Sequence, residues 1–339
     1  MKTNNLPSLQ NAVGLLLTAA CLSCQTDAPD GATEQNFITE IAETTQSADL
    51  EGQSTKTFAY NDGKLTQIKW MFTSKFKSSP DQRTTQSTEA FGYDANGFLT
   101  SKTLTETTED LSASGKRTTQ KSVETQYSYQ NEKLIKEVEQ RRINNQSGTR
   151  TVTYEYETNG QLRKRTLQDA GGRSTTWTYT NGVLTSITRK EANGTDGQPV
   201  TVQNGLAVRE VFADKSFMTY DYDAQKRLIK ATVFGTNGQT NSYYVNYWAA
   251  IASPEDMVPA LKGHPAPAAF YWGKKGVLAK YQYFADINTK MVKLNDSDYT
   301  HQIEGGLLRS TTLKNQQFGI MPTDPVTLIT TVTKYKYLN

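Results

Sequence analysis

Cysteine occurs only at Cys21 and Cys24, so whatever folds downstream has neither a disulfide nor thiolate chemistry. Histidine is almost as scarce. His264 and His301 are the whole supply, too little for a histidine-built metal site or an imidazole acid–base relay. Long apolar runs are missing too: the one from Ala12 to Ala20 is too short to cross a bilayer as a helix. Neither sign of charge dominates, with 37 Lys and Arg against 34 Asp and Glu. The two signs alternate along the chain, which leaves no basic block for nucleic acid. A Gly-x-Ser-x-Gly elbow, a phosphate-binding glycine loop and a His-Glu-x-x-His helix are all absent. The expectation is therefore a protein that is not an enzyme, with no catalytic residue, no metal and no cofactor.

What the first residues do contain is Lys2, the short apolar run and two cysteines among small residues, the anatomy of a bacterial lipoprotein signal. Either Cys21 or Cys24 is the expected lipidation site, since Leu17-Thr18-Ala19-Ala20-Cys21 and Cys21-Leu22-Ser23-Cys24 both fit the processing pattern. Acyl chains contribute about 0.8 kcal/mol per buried CH₂, so a multiply acylated cysteine anchors a protein without spanning the membrane. The plan that follows is a signal peptide over 1–23, a polar tether over 24–54 with a short helix near 37–44, and a folded domain over 55–339. The place is the bacterial cell envelope, with the outer membrane as the expected surface and the lipid as the membrane partner.

The domain is rich in threonine, tyrosine and valine, and a phrase recurs along it: aromatic, any residue, aromatic, polar turn, leucine. It reads Phe58-Ala59-Tyr60 with Leu65, Phe91-Gly92-Tyr93 with Leu99, Tyr127-Ser128-Tyr129 with Leu134, and Tyr154-Glu155-Tyr156 with Leu162. Trp177-Thr178-Tyr179 with Leu184 and Tyr220-Asp221-Tyr222 with Leu228 continue it. Alternation puts Val152, Tyr154 and Tyr156 on one strand face and Thr151, Thr153 and Glu155 on the other. Asn-Gly and Asp-Gly pairs between the aromatics and the leucine tolerate the positive φ of tight hairpin turns. Each repeat is thus a hairpin, and the fold class is all-β: an antiparallel meander of some 14 to 17 strands, curling into an open or partial barrel or a sandwich.

Tyr60-Asn61, Tyr93-Asp94 and Tyr222-Asp223 resemble the YD repeats of the Rhs family and the YD-like repeats in lipoproteins of Bacteroidetes-type bacteria. The resemblance covers about residues 55–235 and, more weakly, 280 onward, while Tyr129-Gln130, Tyr156-Glu157 and Tyr179-Thr180 depart from it. It implies a hairpin-repeat lipoprotein of the envelope.

The regular hairpins of 55–248 give way to a segment over 249–276 that holds four of the ten prolines, with closing strands over 277–339. Ser253-Pro254 offers a helix start, so a short helix over 254–261 is expected. The segment carries more apolar surface than a solvated loop needs, which makes Met257, Leu261, Phe270, Tyr271 and Trp272 the candidate partner-binding residues. It reads either as a plug over an open end of the aromatic core or as a partner-binding loop. Asp221/Asp223 and Asp296/Asp298 are the carboxylate pairs present; both read as turn or surface residues, and His264 as a loop residue. Three functions follow in order: an envelope protein that binds a glycan, peptide or protein at a strand edge or at this segment, a carrier of a hydrophobic ligand, and a carboxylate-dependent hydrolase.

Overall fold

A computed structural model describes residues 37–251, 261–265, 276–319 and 325–338. They form twenty strands. β1 to β10 are Ile38–Ser47, Leu50–Asn61, Lys64–Phe76, Gln82–Tyr93, Leu99–Ser112, Gly115–Gln130, Lys133–Ile143, Gln146–Tyr156, Leu162–Asp169 and Ser174–Thr180. β11 to β20 are Val183–Lys190, Val200–Gln203, Leu206–Val211, Phe217–Tyr222, Leu228–Phe234, Thr240–Trp248, Leu278–Ile287, Lys290–Glu304, Leu307–Gln317 and Thr327–Tyr337.

Each strand pairs antiparallel with the next, and β1 also pairs with β20 through Ile41↔Tyr335 and Thr45↔Thr331. The sheet is therefore a closed barrel, and the expected open barrel or sandwich is corrected. Among the described residues, every strongly contacting pair of strands is a pair of sheet neighbours. The tether boundary also moves. Residues 38–54, expected to be a tether with a short helix near 37–44, are β1 and the start of β2. Their paucity of large apolar residues resembles disorder, but β1 is held by ladders on both sides, to β2 and to β20, and needs little burial of its own. The described residues contain no helix, and the expected helix over 254–261 lies outside them apart from Leu261, which is not helical.

The inward face changes character along the barrel. At the end where even-numbered strands turn into odd ones, leucines and aromatics pack into two clusters: Leu65, Ile68, Phe91 and Leu99, and Leu134, Tyr154, Leu162, Trp177, Tyr179 and Leu184 with their neighbours. Towards the other end the inward residues become polar, as in the Arg83–Asp110 pair of β4 and β5. Their side chains are 41% and 35% exposed although they point inward, so water fills the lumen there. A ring of twenty strands is wide enough for that, since barrels of 16 to 18 strands already leave an aqueous channel. The repeats draw closer along the chain, with 33 residues from Tyr60 to Tyr93 but 23 from Tyr156 to Tyr179, because the strands shorten: β5 and β6 have 14 and 16 residues, whereas β13 and β14 have 6 each.

The recurring phrase builds the rim. Ala90 is the last β4 residue paired to β3, yet β4 stays paired to β5 as far as Tyr93↔Leu99. The ladder between β3 and β4 thus ends three residues short of the turns although β3 itself runs on to Lys64, leaving a leucine carbonyl there without a ladder partner. The second tyrosine of the phrase supplies one: Tyr93 Oη donates to Leu65 O, Tyr129 to Leu99 O and Tyr156 to Leu134 O, each at 2.8 Å. Tyr60 does the same to Ile38 O at 2.7 Å and Tyr337 to Leu308 O at 2.8 Å, which carries the pattern across the closure. Burial pushes the Tyr93 and Tyr156 hydroxyls up to about 12, so they remain donors throughout the neutral range. Two-residue turns with positive φ at both positions, Asp62-Gly63 and Asn181-Gly182 among them, join the strands.

Tyr93→Phe and Tyr156→Phe each remove one such bond and should cost about 1 kcal/mol in denaturant unfolding, the usual net worth of a neutral hydrogen bond. Sitting four strands apart with no shared partner, the two losses should add to within about 0.5 kcal/mol in the double variant. An unchanged midpoint in both single variants would show that the ladder is incidental to stability.

Candidate functional site at the crossed end of the barrel

Every even-to-odd connection at the leucine end is a short turn except one. β16 ends at Trp248 and β17 begins at Leu278, which places the proline-rich segment on this rim. Its described part, residues 261–265, lies against β3 to β7. The Leu134 N–H of β7 donates to Gly263 O at 2.9 Å. β7 and β17 stand ten places apart in a ring of twenty, so the chain that leaves one side of the rim is fastened to the opposite side.

Three neighbouring residues do the fastening. Leu261 packs on the Leu65–Leu99 cluster. Lys262 Nζ donates to Asn96 O at 3.3 Å and lies 4.3 Å from the Phe98 ring centre. Gly263 has φ of +78°, and a Cβ there would stand 2.5 Å from Glu132 O and 3.0 Å from Phe98, so only glycine fits. His264 is the fourth contact, with Nε2 2.8 Å from Tyr129 Oη and its ring tilted against Tyr127. Tyr129 has one proton, and that proton goes to Leu99 O. The imidazole must then carry hydrogen on Nε2 and donate, giving a chain from His264 through Tyr129 to the Leu99 carbonyl. Burial holds the imidazole down at about 4, so it is neutral at ordinary pH.

Of the residues expected to bind a partner, the structure brings Leu261 into contact with the barrel core. Met257, Phe270, Tyr271 and Trp272 lie outside the described residues, as do Cys21 and Cys24. His264, read from the sequence as a loop residue, does lie in a loop and is also the polar anchor of the fastening; its only sequence signal was its place between Gly263 and Pro265.

The carboxylate pairs do not converge. Asp223 accepts from the Arg227 N–H and from Arg227 Nε, both at 2.8 Å, and closes the β14–β15 turn, while Asp221 stands on the outer face of β14. Asp296 and Asp298 are on the outer face of β18 and share Lys280 at 3.0 and 2.9 Å. Neither pair faces a cleft, which leaves the hydrolase reading without its named residues. Among the described residues no group of three or more His, Cys, Asp or Glu side chains could hold a metal ion.

Among the described residues, the inward ionic pairs lie on β4–β13. Lys102–Glu89 and Lys121–Glu106 are each 3.7 Å apart, Arg150–Glu139 3.2 Å and Arg189–Glu210 2.7 Å. Tyr220 Oη adds a bond to Glu210, and Tyr154 Oη bonds Glu137. The wall from β17 round to β1 is uncharged apart from Glu43 and His301, and is knit by amides and hydroxyls: Asn295 to Asn315 at 3.0 Å, Ser297 to Asn295 at 2.8 Å, Thr45 with Thr331 at 2.9 Å.

Comparison with protein-family models finds no match, and none is found among curated proteins. Solved structures do share features with the chain. A porin-like protein from Bacteroides uniformis ATCC 8492 is 13% identical, with 89% of this chain and 97% of that one covered and a TM-score of 0.37. A porin-like protein from Bacteroides vulgatus ATCC 8482 is 8% identical, with 89% and 98% covered and a TM-score of 0.28. Likeness at this level says nothing of activity.

The unfolded chain takes up a proton at His264 near pH ~6.5 and the folded chain only near 4, so the fastening is fully held above the first value and weakens as pH falls towards the second. The protection factor of the Leu134 amide should drop over that window in the native protein and lose the pH dependence in His264→Gln. Equal pH profiles for the two proteins would rule out His264 as the titrating anchor.

Proposed function

We propose that this chain is a lipid-anchored, YD-like repeat protein of the bacterial cell envelope, held by Cys21 or Cys24, whose barrel stands in water and binds a partner without catalysis. The carrying observation is the outer face. On β5 it presents Ser101, Thr103, Thr105, Thr107 and Glu109; on β6, Lys116, Thr118, Gln120, Ser122, Glu124 and Gln126. β2 and β3 add Glu51, Gln53, Thr55 and Thr57 beside Lys75, Thr73, Met71 and Lys69. A membrane-spanning barrel needs an outward apolar band some ~25 Å tall between aromatic girdles, and charges placed there cost about 2–4 kcal/mol each at mid-depth. Over β2, β3, β5 and β6 this surface suits water, with Leu111 and, on β14 to β17, the stacked pairs Phe217–Phe234 and Tyr243–Phe284 as outward apolar patches, which makes a lipid the natural means of attachment.

Ring closure narrows how a partner engages. A sheet edge open to strand addition, the first binding mode expected from the sequence, does not exist once β1 pairs with β20. The lumen wall, the hairpin tips and the segment over 249–277 are left as binding surfaces. β1 starts at the crossed end, beside Tyr337, so a tether from the lipid arrives there and the uncrossed end points away from the membrane. The hydrophobic-carrier reading is the weaker one: its continuous apolar cavity is interrupted by the ion pairs of β4–β13.

Metabolic labelling with tritiated palmitate should be abolished by one of Cys21→Ala and Cys24→Ala and survive the other. Limited proteolysis of membranes within residues 25–36 should then release the intact barrel into the aqueous phase. A barrel that stays with the membrane after such a cut would overturn the anchored, water-surrounded reading.

A further inference from the structure

One inward strand face departs from the polar lumen around it. On β3 the inward residues beyond Ile68 are Trp70, Phe72, Ser74 and Phe76, running from the leucine clusters towards the uncrossed end. Trp70 and Phe72 are half-buried, stacked at 6.0 Å and 19°, and stand outside the Leu65–Leu99 cluster. The Trp70 indole N–H has no protein acceptor among the described residues. Large aromatics left half-exposed on a wet wall contribute little to core packing, and they offer flat faces to a ligand.

The flanks are polar on both sides. Phe72 shares its row with Glu43 and Ser54 on one side and Thr85 on the other; Trp70 shares its row with Lys56 and Ser87. Glu43 accepts only a long 3.4 Å bond, from Thr333. Gly52 gives a second, independent observation. It is the third residue of β2, with continuous register to β1 and β3 and without positive φ, so neither a bulge nor a turn calls for glycine. A Cβ there would meet Phe72 at 4.0 Å, ordinary contact, so a longer side chain fits but would reach over the ring. A glycine inside a strand that serves no bulge is often the mark of a close approach by a ligand or another backbone.

We infer that the inner face of β3 is a binding track for an uncharged oligosaccharide, with Trp70 and Phe72 stacking on sugar rings and Glu43, Lys56 and Ser54 reaching their hydroxyls. The track is one ring wide and bordered by hydroxyl and ionic groups. That suits a ligand with apolar faces and polar edges, whereas an acyl chain needs apolar walls on several sides. A polyanion finds one lysine here, opposed by Glu43. The track uses none of the repeat tyrosines or turn residues. It deepens the binding reading above and rests on it.

The test is titration of the full chain with uncharged hexasaccharides of glucose, mannose, xylose and N-acetylglucosamine, alongside polygalacturonate and a fluorescent fatty acid, read by calorimetry. At least one neutral hexasaccharide should bind, tenfold or more weakly to Trp70→Ala, Phe72→Ala and Gly52→Leu, with affinity kept in Trp70→Tyr and in the outward control Met71→Ala. Circular dichroism melting of each variant separates lost binding from lost folding, and Trp70→Tyr guards against a destabilised alanine variant. The track is overturned if none of the neutral sugars binds, if only polygalacturonate or the fatty acid does, or if binding ignores all three track variants. A chain that binds no sugar but still captures an envelope partner removes the track and leaves the anchored binding protein standing.

Discussion

The hydrogen bond from a repeat's second tyrosine to a carbonyl of the strand before it, a leucine's for Tyr93, Tyr129 and Tyr156, is the contact on which the architecture turns. It exists because the ladders between hairpins stop short of the turns: β3 and β4 part at Gln67↔Ala90 although they run on to Lys64 and Tyr93, and β7 and β8 part at Lys136↔Thr153 although they run on to Lys133 and Tyr156. That parting strips the leucine carbonyl of its ladder partner, a cost that a phenol of the right length offsets. Phenylalanine can fill the first aromatic position, as Phe58 and Phe91 do, but tyrosine recurs at the second, where the hydroxyl has a partner.

How much of this could be read beforehand follows from which signals are local. Hairpins, their turns and their two faces were legible, since Val152, Tyr154 and Tyr156 alternate with Thr151, Thr153 and Glu155 and the structure buries the first set more deeply. Closure was not. It depends on β1 meeting β20, a pairing between residues almost three hundred positions apart with Thr, Ser and Glu along much of β1. The strand count fell short for the same reason: strand propensity weighs large side chains, whereas a wide wet barrel lets polar residues line both faces.

The candidate sites divide similarly. The 249–276 segment stood out through its prolines and apolar residues, and Leu261 does reach the core, but the imidazole of His264 and the obligatory glycine at 263 became meaningful only once the far rim was beside them. Trp70 and Phe72 had a sequence signal, same-face aromatics continuing past the point where the repeat needs them. It was masked by the regularity of the repeat itself, which makes any aromatic look like another core residue.

Width is what lets one barrel hold both kinds of interior. In a small barrel every inward residue meets another across the axis, and a half-exposed tryptophan or an inward arginine at 41% exposure has no place. Here the leucine clusters bury themselves sideways, against neighbours on the same wall, and not across the lumen. That frees the rest of the wall from packing duty, so its composition can answer to whatever enters. At the lumen's leucine end residues 261–265 are fastened to the rim opposite β16 and β17, and among the described residues no segment is fastened across the other end. Since β1 begins at the crossed end, a tethered protein would present the uncrossed end to the surroundings, with the aromatic face of β3 running inward from it.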